Sequence, residues 1–173
     1  MRNIMFALAL CAVTLLVFGS ASAENKFVGV KKCAMCHKPN VYPVWEKSAH
    51  AKAFETLKSK EAEEFAKKKG VKGPASEAPE CLKCHVTGGG SAVGAVKEEG
   101  VTCEACHGAA EKYLMLHNKK DEASKTAAKA AGFVKDAKEG KACEVCHNAG
   151  SPTFKGFKFK EMWAKIEHHL PKK

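Results

Sequence analysis

The sequence predicts a mainly α, loop-rich fold with little or no β structure, and two observations carry that expectation. Apolar residues recur at helical spacing in several segments, glycines and prolines interrupt them, and no segment keeps period-two alternation over the length of a sheet strand. The second observation is a pattern, Cys-x-x-Cys-His, that occurs four times. Its copies supply Cys33, Cys36 and His37; Cys81, Cys84 and His85; Cys103, Cys106 and His107; and Cys143, Cys146 and His147. Two thiols one helical turn apart can each form a thioether to one edge of a porphyrin. The histidine that follows then lies under the iron and supplies an axial ligand, the signature of covalently attached haem c. One copy could be a zinc or redox pair with a chance histidine, but four copies with the histidine in the same slot argue against that. The expected cofactors are four haems, held by these twelve residues.

The elements follow in order. Met1-Arg2-Asn3 is a short positive start, residues 4–18 are an apolar run, and Ala21-Ser22-Ala23 is a small-x-small cleavage site. Residues 1–23 therefore read as a cleaved signal peptide, too short and wrongly flanked for a retained membrane anchor. Residues 24–173 read as one domain. Cys11 leaves with the leader, so of nine cysteines the remainder are used up by the haem pairs, with no thiol left for a disulfide or a nucleophile. Export fits the chemistry, because covalent haem attachment occurs outside the cytoplasm; the expected location is the periplasm.

Residues 27–32 lead into the first motif, and Pro39 ends any helix running on from it. Tyr42-Pro43-Val44-Trp45 is an aromatic stretch expected to pack on porphyrin. Ser48 is a candidate N-cap for a helix over residues 48–69, stopped by Gly70. Residues 70–80 read as a linker, and residues 87–94 as a glycine-rich loop. That loop lacks a G-K-[ST] ending and so fits close backbone approach to a haem better than phosphate binding. The third motif opens a helix over residues 103–118, and a further helix spans 121–131 and ends at Gly132. An aromatic segment with Phe154, Phe157 and Phe159 precedes a last helix over residues 160–170, stopped by Pro171. With fewer than about 40 residues per haem, the porphyrins must form most of the core.

The formal net charge is +10. Loss of Arg2, the only arginine, and about −1 per oxidised haem bring the loaded protein to about +5. That sign suits an acidic redox partner. Nucleic acid is disfavoured, since no arginine remains for bidentate phosphate contacts. A solubilising lysine coat explains the charge equally well.

Four further histidines, His50, His117, His168 and His169, are candidates for the opposite faces of the irons. His117 lies ten residues after His107 on the expected helix, so it must serve another haem or none. His50, beside small Ala49 and Ala51, suits a bulky plane. His168 and His169 are adjacent on the expected last helix, diverging by about 100°, so one of them serves a given iron.

The order Cys-x-x-Cys-His-Lys, then Trp45-x-x-Ser48-Ala49-His50-Ala51-Lys52-Ala53, resembles the tetrahaem cytochrome c-554 family. The likeness continues through residues 81–86, through Gly100-Val101-Thr102 and the third motif, and through Gly150-Ser151-Pro152 and residues 157–162. The resemblance implies a small periplasmic electron carrier with stacked haem pairs. It implies a first haem on His37 and His117, a third on His107 and His50, and a fourth on His147 and His168, with the second haem, on His85, five-coordinate. Departures are a shorter segment after the fourth motif and the extra His169, which leaves open a ligand for the second haem.

The expected function is electron transfer between a donor and an acceptor protein, by a monomer or small oligomer without catalytic residues. Two alternatives stay open: reduction of a small ligand such as nitric oxide at an open second haem, and a haem-wire subunit in which His169 binds a neighbour's iron.

Overall fold

In the computed structural model, which describes residues 24–92, 94–135, 140–151 and 153–169, the chain is a succession of short helices joined by turns. The helices are α1 (Val30–His37), α2 (Tyr42–Glu46), α3 (Ala53–Thr56), α4 (Lys60–Lys68), α5 (Pro79–His85), α6 (Cys103–His107), α7 (Glu122–Ala130), α8 (Lys141–Glu144) and α9 (Phe159–Trp163). Short 3-10 turns occupy Thr87–Gly90 and Lys97–Glu99. No strand occurs among the described residues, so the fold class is mainly α and loop-rich, as expected. The expected leader, residues 1–23, lies outside the described residues, as do Pro152 and Pro171.

Three expected helices are shorter than the sequence suggests. The segment 48–69 is broken into turns, α3 and α4. The Ser48 hydroxyl donates to the Trp45 carbonyl at 2.6 Å and so closes the preceding turn instead of opening a long helix. The cap belongs to Ser59, whose hydroxyl accepts from the Ala62 amide at 3.1 Å. The helix opened by the third motif stops at its own histidine, because Gly108 follows with φ 84 and ψ 162, a conformation open mainly to glycine. Residues 111–118 are turns. Helix α9 likewise ends at Trp163, so His168 and His169 lie in irregular chain beyond it. In contrast, α7 keeps its expected extent, capped by Asp121, whose carboxylate accepts from the Ser124 amide at 2.8 Å.

Two small apolar clusters hold these pieces. Phe54 and Leu57 around α3, Ala66 of α4, Ala75 of the linker, and Leu82 and Val86 around α5 form one. Ala110, Tyr113 and Ala128 form the other, with Val28, Leu116 and Phe133 packed on it. The stretch 70–78 is therefore part of the packing, with Ala75 and Ala78 buried. The glycine-rich loop makes a close approach to Phe27: a Cβ on Gly88 would lie 2.7 Å from the Phe27 ring.

Polar contacts replace the missing core at the junctions. Glu104, a spacer of the third motif, is only 2 % exposed. Its carboxylate accepts from the amides of Val28 (3.1 Å), Gly29 (2.9 Å) and Ala110 (2.8 Å). Glu99 accepts from the Val30 amide at 2.7 Å and so caps α1. Together they clamp the chain entering α1 onto α6. The Trp45 indole donates to the Val101 carbonyl at 2.8 Å, and Thr87 accepts from the Thr102 amide at 2.7 Å. These tie α2 and α5 to the same point.

Candidate haem-binding centre

Each motif sits on a helix end. α1, α5 and α6 all terminate on the motif histidine, and in the fourth copy the His147 amide still reaches the Cys143 carbonyl at 2.8 Å. One turn of helix thus places both thiols and the imidazole on one side, the arrangement that a porphyrin edge and its iron require. No disulfide joins any of the eight described cysteines.

Six of the eight histidines meet in pairs. His37 and His117 have ring centroids 6.1 Å apart, His50 and His147 6.1 Å, and His107 and His168 6.0 Å. Two metal–imidazole bonds of about 2 Å each, with about 1.2 Å from each ring nitrogen to its centroid, span roughly 6 Å. Imidazoles in direct hydrogen-bonded contact need no such gap, so the spacing fits an intervening iron.

The ring nitrogens carry the second part of the fit. Nδ1 of His85 lies 2.7 Å from the Ala53 carbonyl, that of His107 2.6 Å from Val134, that of His168 2.9 Å from Ile166, and that of His117 3.3 Å from Tyr113. A carbonyl can only accept, so Nδ1 carries a proton, and in the neutral ring Nε2 is the nitrogen that offers a lone pair to a metal. Burial holds His37 and His50 below the usual histidine range, reinforced by His117 near the first and His147 near the second. Both are therefore neutral at pH 7, the form that binds metal. Aromatic rings wall the pairs: Phe133 stacks on His107, and Phe157 stacks on His147 with centroids 4.9 Å apart. The expected aromatic segment thus serves the fourth motif, whereas Tyr42 and Trp45 pack on one another.

Two of the pairings correct the expectation. His50 faces His147 and not His107, and His168 faces His107 and not His147. The Val101 amide donates to the His50 carbonyl at 3.0 Å, which lays that backbone beside the approach to α6 and aims the ring past it toward α8. The early end of α9 lets the chain turn back, so that His168 reaches His107. The argument that His107 and His117 share a rigid helix also fails, since Gly108 separates them; His117 nonetheless faces the first motif.

His85 has no histidine opposite it among the described ring contacts. His169 does not supply one: its Nε2 lies 3.1 Å from the Glu167 carboxylate on an exposed surface.

The thiols reveal an order among the motifs. Cys103 lies beside Cys33, and this contact together with burial pushes the Cys33 thiol far up. Burial pushes Cys106 up, and the neighbouring Cys143 adds to it. Burial and a contact with Cys84 push Cys146 up to about 11. The attachment sites therefore adjoin in the order first, third, fourth, second, in agreement with the packing of α1 on α6 and of α6 on α8.

Known proteins agree with this chemistry. The family described as cytochrome c554 and c-prime matches residues 32–108. Cytochrome c-554 of Nitrosomonas europaea is 37% identical over 133 residues, covering 70% of this chain and 56% of that protein. The chain thus spans little more than half the length of that relative. No solved structure matches. The motif helices, the iron-spanning histidine pairs and these similarities converge: over its first three motifs the chain is similar to the cytochrome c554 family.

Proposed function

We propose that this chain is an exported tetrahaem electron carrier that works in the periplasm between a donor and an acceptor protein. Residues 1–23 are its cleaved leader and residues 24–173 its haem-binding domain. The observation that carries this reading is the three histidine pairs at iron-spanning separation, joined to four motif helices whose thiols adjoin in a line. Haem c would be held by Cys33, Cys36 and His37 with His117; by Cys103, Cys106 and His107 with His168; by Cys143, Cys146 and His147 with His50; and by Cys81, Cys84 and His85. When bound, it supplies reversible one-electron oxidation and reduction.

What the protein contributes is position and exclusion. Imidazoles on both faces leave no place for a substrate, which supports electron transfer over catalysis at those three sites. Carbonyls on Nδ1 of His85, His107, His117 and His168 fix ring tautomer and direction, and Phe133 and Phe157 pack on His107 and His147. Contacts between thiols run first to third, third to fourth and fourth to second, so the first and second motifs terminate this sequence of neighbours.

A second reading rests on His85, which has no opposing ring among the described residues. A five-coordinate haem there would bind a small ligand such as nitric oxide. One preparation distinguishes the two. Pyridine haemochrome analysis counts the haems, with four expected per chain. EPR of the oxidised protein is expected to give three low-spin signals and one high-spin signal. A count below four, or four high-spin signals, removes the carrier as described. Carbon monoxide binding to the reduced protein at one site per chain supports the second reading, and inertness rejects it.

A further inference from the structure

The outer face of the first motif helix carries a feature that haem binding does not use. At 100° per residue, Cys33, Cys36 and His37 share one side of α1, while Lys31, Ala34, Met35 and Lys38 fall on the other. Those four residues, with Tyr42 and Glu46 of α2, line an open groove of about 470 Å³. Met35 is 77 % exposed, more than any other large hydrophobic side chain among the described residues. Because it points away from the attachment side, its own haem does not cover it. Lys31, Lys32 and Lys38 are exposed around it. Glu46, the one acid of the lining, stands beside the Tyr42 hydroxyl.

We propose that this groove, centred on Met35 and flanked by Lys31 and Lys38, is the docking surface for an acidic one-electron redox protein. The proposal rests on the carrier reading and adds the place where electrons cross. An exposed apolar side chain ringed by like charges matches the apolar-centre, polar-rim design of transient interfaces, and the lysines would steer an acidic partner. The first motif is one end of the line of attachment sites, so a partner seated on α1 stands one helix width, about 10 Å, from the attachment side. The second-motif spacer Leu82 is buried in the core. Val145 of the fourth motif is 73 % exposed, but it belongs to an internal site and stands beside Glu144.

The test uses the haem-loaded protein and, as probe, a reduced plant-type [2Fe–2S] ferredoxin, a strongly acidic one-electron donor. Stopped-flow spectroscopy measures the second-order rate of haem reduction from low to high salt. The double substitution Lys31→Glu with Lys38→Glu is expected to lower the low-salt rate at least about tenfold, with the difference vanishing at high salt. Met35→Ala is expected to lower it at all salt concentrations. Lys72→Glu with Lys129→Glu, on the linker and α7, is expected to change it less than about twofold. Carbodiimide cross-links to the ferredoxin are expected at Lys31 or Lys38. Equal effects of the two double variants, or cross-links confined to other lysines, overturn the proposal. So does self-association by light scattering that the Lys31/Lys38 variant abolishes, since the groove then seats a second copy. Failure of the carrier reading looks different: the unsubstituted protein would then accept no electron from the ferredoxin or from dithionite.

Discussion

Glu104→Ala removes one carboxylate and strands three amides. The side chain is 2 % exposed and accepts from Val28, Gly29 and Ala110 at 2.8–3.1 Å. Among the described residues no ion pair neutralises it, so the amides are its compensation for burial. A buried donor left without a partner costs about 1–3 kcal/mol. Three of them, less what water entering the gap recovers, put the loss at about 3–5 kcal/mol. That is a large share of the 5–15 kcal/mol typical of a domain. Damage should concentrate where the clamp acts, on the chain entering α1 and hence on the first and third motif helices. Guanidinium unfolding of the haem-loaded protein, followed by circular dichroism, measures the loss, and EPR reports the ligation of the first haem. Glu104→Gln keeps the shape and one acceptor oxygen, so its loss should be about half as large. A midpoint for Glu104→Ala within about 0.5 kcal/mol of the parent would refute the clamp, because that is the effect of an ordinary surface substitution.

Other outcomes follow from the same geometry. His168→Ala should convert the third haem to high spin and leave the fourth low-spin, whereas His50→Ala should do the reverse; EPR with the haems assigned by potential decides between these pairings and the opposite ones. His169→Ala should leave every signal unchanged, since that ring faces Glu167. Burial holds His37 and His50 below the usual histidine range, so the unfolded chain binds more protons than the folded one once pH drops through about 6.5. Stability should therefore be flat above that pH and decline below it, as chemical unfolding at stepped pH would record. A chain expressed without haem attachment should show no cooperative thermal transition by calorimetry.

What the sequence reveals here is chemistry more than path. The thiols and their histidines are legible because thioether formation and ligation demand a fixed local spacing, and α7 is legible because Asp121 and Gly132 bracket an uninterrupted run. The break after Ser48 is hidden because turns of three and four residues keep apolar side chains on nearly the same spacing as a helix. Gly108 was a readable stop, a glycine immediately after the last helical residue, but the apolar run at residues 113–116 invited continuation through it. Of the histidine partners, His117 for the first motif was reached through the family resemblance, whereas the partners of His50 and His168 were not legible. They depend on where His50 and His168 are carried by contacts 50 or more residues distant in sequence, such as Val101 on His50. Glu104 escaped notice for the same reason: as a motif spacer it reads as a solvated charge, and only the return of residues 28–29 to α6 gives it partners.

The distribution of buried side chains explains why attachment is covalent and repeated. Among the described residues no large side chain is less than 2 % exposed, and the two apolar clusters use only a few residues each. Burial on that scale does not offset the ordering entropy of a chain this long, at roughly 1–2 kcal/mol per residue. The histidine pairs sit where the missing core would be. His37 meets His117, and His117 in turn packs against Tyr113 and Phe133 of the second cluster. A group filling the gap between the paired rings would therefore join α1 to a cluster it otherwise touches little. The same logic holds for His50 and α8. A group gripped from two distant parts of the chain acts as core and cross-link at once, and thioethers keep it in place while the ligands from the other segment arrive. On this argument the short helices are the expected form, since each needs only enough turns to present two thiols and an imidazole. The polar clamps at Glu104, Glu99 and Thr87 then do locally what a larger apolar interior does elsewhere.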